Sequence, residues 1–99
     1  MSPRVISWAR TSFGWAVNFD GTDAACGFSL PRLELHSGAD GWTSVCYLEN
    51  GTSAQQPLRT LTTTPAKRAA AAAALITLGP RYAAELLALL HPATRRPMT

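Results

Sequence analysis

A run of six consecutive alanines, Ala69 to Ala74, constrains the fold of this chain more than any other feature. Alanine is the strongest helix former, so the run predicts a helix. Thr64 can cap its N-terminus, and Pro65 suits the first helical position because its φ angle is fixed and an N–H there would have no partner. Gly79 can end the helix in the left-handed conformation, and Pro80 can begin a second helix.

The apolar residues of both predicted helices recur at helical spacing, which predicts one buried face on each. In the first helix this face comprises Ala66, Ala69, Ala73 and Ile76, with Ala70 and Leu78 beside them. In the second helix it comprises Ala83, Leu86, Leu87 and Leu90, and Pro92 ends the helix. Because alanine side chains are small, we expect the first helix to pack closely on the rest of the domain.

Upstream of Thr64 the apolar residues alternate with a period of two, which predicts strands. The alternation slips at Pro31, which predicts a bulge or an edge strand there. Turn signals separate the strands, and Thr52 to Thr63 is either a loop or a short edge strand. The candidate strands are Val5 to Thr11, Trp15 to Phe19, Cys26 to Leu35 and Trp42 to Glu49, with turns at Asp20-Gly21, Gly38 to Gly41 and Asn50-Gly51.

Strands first and helices last predict an α+β fold. We expect an antiparallel meander of three or four strands, followed by one or two C-terminal helices packed on one face. A chain of 99 residues is long enough for one hydrophobic core and too short for two. Residues 1–92 are therefore predicted to form a single domain, with 93–99 as a flexible tail.

The charge of +3 is distributed unevenly. Three arginines and five acidic residues lie up to Glu49, for a net charge of −2, whereas six basic residues and Glu85 follow, for a net charge of +5. A basic C-terminal half favours contact with phosphates or with an acidic partner, and arginines scattered over solvated faces would give the same count.

The segment from Leu33 to Leu78 resembles the second half of a double-stranded-RNA-binding domain. In that family, strands precede a helix that opens with a basic cluster and alanines, as Lys67 and Arg68 do here before Ala69. The resemblance implies that these two cations reach phosphates across a groove. It covers less than half of the chain, and the family's first helix has no counterpart.

No complete catalytic set is present in the sequence, so we expect no enzyme. The strand that ends at Asp20 also resembles the opening of a ribonuclease-H-like fold, where Asp20 would be the first metal ligand. The further carboxylates that two-metal chemistry needs are missing, and Lys67 or Arg68 stands where that family has a helical glutamate. Asp20 is better interpreted as a turn residue, because Asp-Gly is a hairpin signal.

Neither cysteines nor histidines form a recognisable metal or redox motif, and no cofactor or metal is predicted. Cys26 and Cys46 lie in strand-like runs and are expected to be buried free thiols. The N-terminus has no secretory leader, which predicts a cytoplasmic protein. The apolar run from Ala69 to Leu90 is interrupted by Gly79-Pro80 and contains charged residues, so we expect no membrane span.

Three tryptophans exceed what one small core needs, and tryptophan and arginine are enriched at binding hot spots. Strand phase assigns Trp15 and Trp42 to the core, which leaves Trp8 with Arg10 as the predicted interface. In its small size, single α+β domain and lack of catalytic residues, the chain resembles phage and mobile-element products such as anti-CRISPR proteins. We therefore expect a non-enzymatic protein-binding module that acts as an inhibitor by occluding a partner. The alternative is a nucleic-acid-binding domain that uses Lys67 and Arg68.

Overall fold

Five antiparallel strands form one meander sheet, and two helices follow it in the chain. The structure is a computed structural model that describes residues 6–90. The predicted α+β fold, a meander followed by C-terminal helices, is confirmed, with five strands instead of three or four. The elements are β1 (Ala9–Arg10), β2 (Gly14–Asn18), β3 (Arg32–Gly38), β4 (Gly41–Tyr47), β5 (Ser53–Pro57), α1 (Thr63–Leu78), a 3₁₀ turn (Pro80–Tyr82) and α2 (Ala83–Leu90).

The hydrophobic core lies between one face of the sheet and the helices. The sheet contributes Leu33 and Leu35, the loop after β2 contributes Phe19, and α2 contributes Leu86. The fully buried residues of α1 are all alanines, namely Ala66, Ala70, Ala71 and Ala74, each with 0% exposure, and Leu75 and Leu78 are partly buried against the core. Because the side chains of these four alanines end at Cβ, the backbone of α1 lies close to β3 and β4.

The buried faces of the helices differ in rotation from the predicted ones. Ala70 is buried as expected, whereas Ile76 was expected in the core and is 85% exposed. In α2, Leu87 is exposed and Leu89 is buried. Ala66 is also buried and Leu78 packs against the core as predicted, so the buried face of α1 is turned only partly away from the predicted one. A run of identical alanines has no phase of its own, so it could not fix this rotation.

The structure corrects the predicted start of α1 and confirms its predicted end. The helix begins at Thr63 instead of Pro65, and Thr62 at the N-cap position makes no side-chain capping hydrogen bond. Gly79 ends the helix with φ at 81°, a backbone conformation that glycine adopts without steric cost, and its N–H donates to the carbonyl of Leu75. Pro80 then begins the 3₁₀ turn.

Two predicted strands are shorter than expected or absent. The first is reduced to Ala9–Arg10, and Val5 lies outside the described residues. The stretch from Cys26 to Leu30 is not a strand, because residues 19–31 form one long loop between β2 and β3. The prediction of a bulge or edge strand at Pro31 is also wrong, since β3 begins directly after it and is the central strand.

Local side-chain hydrogen bonds explain why this loop does not extend into a strand. The carboxylates of Asp20 and Asp23 accept the backbone N–H groups of Thr22 and Ala25, at 2.9 and 3.0 Å. Such bonds offer the backbone an alternative to strand pairing.

The hairpins and the polar segment after them agree with the sequence. Two of the three predicted turns, at Gly38 to Gly41 and at Asn50-Gly51, connect neighbouring antiparallel strands as hairpins. Within Thr52 to Thr63 the chain forms β5, an edge strand whose five residues are all exposed. The proposed tail, 93–99, and the domain boundary at Pro92 lie outside the described residues.

Enlarging a buried alanine of α1 should destabilise the fold. We expect Ala70→Leu and Ala74→Leu each to lower the free energy of unfolding by about 1–3 kcal/mol, because the added atoms have no space between helix and sheet. Chemical denaturation measures the change. Ala72→Leu, at an exposed position of the same helix, is the matched control and should stay within about 0.5 kcal/mol of the parent. Equal unfolding midpoints for all three variants would contradict this packing.

Candidate functional site

The indole ring of Trp15 is flanked by two cations from different elements. Lys67 Nζ lies 3.5 Å from the ring centroid and Arg10 Cζ lies 5.2 Å from it. Both distances are within the range of cation–π attraction, which is strongest over tryptophan. We call Arg10, Trp15 and Lys67 the Trp15 site.

A tight turn places Arg10 beside Trp15. Thr11 N–H donates to the carbonyl of Gly14, and the Thr11 hydroxyl accepts the Gly14 N–H at 3.1 Å. This turn pairs Arg10 directly with Trp15 across β1 and β2. Gly14 has φ at 148°, and a Cβ there would collide with the carbonyl oxygen of Leu35, so the turn requires glycine.

The rotation of α1 brings Lys67 to the same ring. Residues four apart share a helix face, so Lys67 lies on the same face as Ala71, which is fully buried towards the sheet. Lys67 therefore extends over the sheet near the N-terminal end of the helix. Arg68 shares its face with Ala72, and both of these residues are exposed.

Neither cation of the Trp15 site forms an ion pair with a carboxylate within residues 6–90. Burial, and then the charge of Arg10, lower the pKa of Lys67 below its ordinary value of 10.5. The two like charges therefore repel each other, with Lys67 partly buried and Arg10 exposed. An anion placed between them would relieve this repulsion.

Of the residues predicted from sequence, Arg10 and Lys67 both contact the Trp15 ring, whereas Trp8 and Arg68 show no contact with it. Trp8 is half-buried against the core, and Arg68 faces solvent. Alternation assigned Trp15 and Trp42 to the core, and both rings do pack against it. The contact of Trp15 with two cations was not predicted. The signal that could have found it is the short turn that places Arg10 opposite Trp15.

A second polar cluster lies on the sheet face that the helices leave free. Glu34 accepts from Arg32 Nε at 2.7 Å and lies 2.8 Å from His36 Nε2. The side chains of Arg32 and Glu34 are only 6% and 7% exposed. Arg32 Nη1 also donates to Asn18 Oδ1 at 3.0 Å, which links β3 to β2.

Arg32 fastens the loop of residues 19–31 to this face. Its Nη1 donates to the carbonyls of Ala24 and Gly27, at 3.3 and 3.0 Å, and its guanidinium lies 4.8 Å from the ring centroid of Phe28. Every buried side-chain nitrogen and oxygen in the described part of the chain has a hydrogen-bond partner. The cluster is therefore complete in itself and has a structural role.

Aromatic rings flank this cluster. Phe13 stacks on His36 with ring centroids 4.2 Å apart. Phe28 is 59% exposed and meets Tyr47 edge to face, with centroids 5.2 Å apart. These contacts cover the buried ion pair on both sides.

The cysteines differ in environment, which corrects the expectation that both are buried. Cys46 is buried in β4, and burial raises its pKa to about 11. Cys26 is exposed, because the segment around it is a loop and not a strand. Its thiol donates to Asp23 at 3.5 Å; this hydrogen bond, and then the charge of Asp23, raise the pKa of Cys26.

Asp20 is part of a turn in the described structure. Its carboxylate accepts from Thr22 and Ser29. Among residues 6–90 no three histidine, cysteine, aspartate or glutamate side chains converge on a common point as metal ligands would. Over the same residues, neither helix combines the length and hydrophobicity that a membrane crossing needs.

Comparisons with protein-family models, with curated proteins and with solved structures found no match to this chain.

Removing the buried guanidinium should cost far more stability than removing an exposed one. We expect Arg32→Met to lower the free energy of unfolding by about 3–5 kcal/mol, because it leaves Glu34 and the loop carbonyls without their donor. The matched control is Arg81→Met, which breaks a 3.0 Å pair with Glu49 whose side chains are 72% and 50% exposed. That loss should stay below about 1 kcal/mol. Similar losses for the two variants, measured by denaturation, would show that Arg32 does not organise the loop.

The two thiols should react differently. In the native protein we expect a thiol reagent to label Cys26 and to leave Cys46 unlabelled until the chain unfolds. Because Asp23 raises the Cys26 pKa above its ordinary value of 9.0, labelling should accelerate as the pH rises past 9. Asp23→Asn should lower that pKa and speed labelling at neutral pH. Mass spectrometry of the labelled peptides reports both results, and native labelling of Cys46 would contradict its burial.

Proposed function

We propose that this chain is a non-enzymatic protein-binding module whose contact surface centres on the Trp15 site. The observation that supports it best is one half-buried indole flanked by the two cations Arg10 and Lys67. Tryptophan and arginine dominate the binding energy of protein interfaces, and a partly buried ring offers contact area at little entropic cost. Such a module would act by occluding the partner surface, as the resemblance to small mobile-element inhibitors implies.

The charge distribution favours a protein partner over a nucleic acid. The full chain has nine basic and six acidic residues, so its net charge is only +3. Duplex binding that neutralises roughly 6–10 phosphates needs more basic residues on one side than Arg10, Lys67 and Arg68 supply.

Capture from cells of the source organism, with and without nuclease treatment, tests this proposal. We expect a protein partner to be retained after nuclease treatment and lost with Trp15→Leu, at a cost of about 2 kcal/mol or more in binding. Phe28→Ala, which truncates an exposed aromatic on the opposite sheet face, is the matched control and should retain the partner. Circular dichroism checks that both variants are folded.

Two outcomes would contradict the proposal. One is capture that depends on nucleic acid, together with tight binding to a generic RNA duplex at low salt. In that case Lys67→Gln and Arg68→Gln should each reduce the slope of log affinity against log salt by about 0.7–0.9. The other is equal loss of the partner in Trp15→Leu and Phe28→Ala.

A further inference from the structure

The Trp15 site contains two cations that no carboxylate of residues 6–90 neutralises. Elsewhere in these residues, Arg32 is paired with Glu34 and Arg81 with Glu49. Exposed cations such as Arg68 are stabilised by water, which lowers the cost of leaving them unpaired. Lys67 is only partly exposed, and Arg10 adds a second positive charge beside it.

The geometry leaves hydrogen-bond donors free on both cations. An ammonium has three N–H donors and a guanidinium has five. Lys67 Nζ contacts the ring face of Trp15, which uses none of these donors in a conventional hydrogen bond. A partner anion that approached the ring could therefore accept from Lys67 and Arg10 together. Hydrogen bonds to ionised groups are about twice as strong as neutral ones.

We propose that the Trp15 site binds a carboxylate in an acidic segment of the partner protein, with Arg10 and Lys67 as its two donors. This inference rests on the proposed function and specifies the chemistry of the partner. The indole provides an apolar surface beside the bound anion. The partial burial of Lys67 reduces the competition of water for its hydrogen bonds to that anion. Asp and Glu side chains supply such a carboxylate on a flexible stem.

A carboxylate agrees with the observed charges better than a nucleic-acid phosphate does. Two converging cations match one or two negative charges, whereas a duplex presents one charge per about 1.7 Å of its axis. The neighbouring Arg68 faces away from the ring with Ala72, so it does not extend the site into a basic stripe.

Lys67 and Arg68 form a matched pair for the experiment. They are adjacent in α1, their loss changes the net charge by the same amount, and only Lys67 contacts Trp15. General electrostatic attraction responds to both substitutions alike. Binding of an anion at the Trp15 site responds to Lys67→Gln and Arg10→Gln only.

The experiment titrates the full chain with a synthetic peptide of alternating glutamate and serine, monitored by the indole N–H signals in two-dimensional NMR. The same peptide with glutamine for glutamate is the neutral control, and inorganic phosphate and an RNA duplex are separate arms. We expect the glutamate peptide to shift the Trp15 signal. Its affinity should fall roughly tenfold in Lys67→Gln and in Arg10→Gln, and less than about twofold in Arg68→Gln. Thermal melting confirms that each variant is folded.

Four results would overturn the inference: equal binding of the glutamine peptide, equal weakening by Lys67→Gln and Arg68→Gln, binding of phosphate or duplex without binding of the peptide, and no response to any probe. The capture experiment distinguishes a failure of the carboxylate inference from a failure of the proposed function. If the partner is lost with Trp15→Leu but retained with Arg10→Gln and Lys67→Gln, the protein-binding proposal stands and the carboxylate inference is wrong.

Discussion

The close approach of α1 to the sheet is the constraint on which both the core and the candidate site depend. Four alanines form the buried face of the helix, and only a face of this kind lets the helix backbone lie directly over β3 and β4. The same approach brings Lys67 within 3.5 Å of the Trp15 ring centroid. Larger residues on the buried face would lift α1 from the sheet and separate Lys67 from Trp15. The packing of the core therefore sets the geometry of the site.

The opposite sheet face is organised by a charge instead of by apolar packing. Arg32 pairs with Glu34 of its own strand and donates to Asn18 of β2 and to a carbonyl of the long loop, all through a side chain that is almost fully buried. This face has no helix to cover it, so the loop covers it and the guanidinium holds the loop. A buried ion pair contributes little net stability when complete, but its partners become costly when one of them is removed.

The sequence predicted the parts of the fold that depend on local signals. The hairpin turns, the helix end at Gly79 and the order of strands before helices follow from glycine, proline and residue period, and the structure confirms them. The rotation of α1 could not be predicted, since alanines on every side give no contrast between faces. The segment around Cys26 has the alternation of a strand. However, the Asp23 carboxylate accepts the backbone N–H of Ala25, and Arg32 donates to the carbonyl of Ala24. These hydrogen bonds compete with strand pairing.

The limits of local signals also explain why the sequence predicted two residues of the candidate site but not their contact with Trp15. Arg10 was predicted as a contact residue together with Trp8, and Lys67 from the resemblance to a double-stranded-RNA-binding domain. Their meeting point depends on the pairing of β1 with β2 and on the rotation of α1, and neither can be deduced from spacing.

The contrast between the two clusters is itself an argument about function. Both contain arginine and an aromatic ring, but Arg32 is buried, whereas Lys67 is partly buried and Arg10 is exposed. Around Arg32 every charge has a partner within the chain, so nothing there calls for a ligand. Around Trp15 two positive charges contact the same ring, and no carboxylate of the described residues pairs with either of them. The cation–π contacts with Trp15 offset part of this repulsion within the chain, and an anion bound between the two cations would offset the rest.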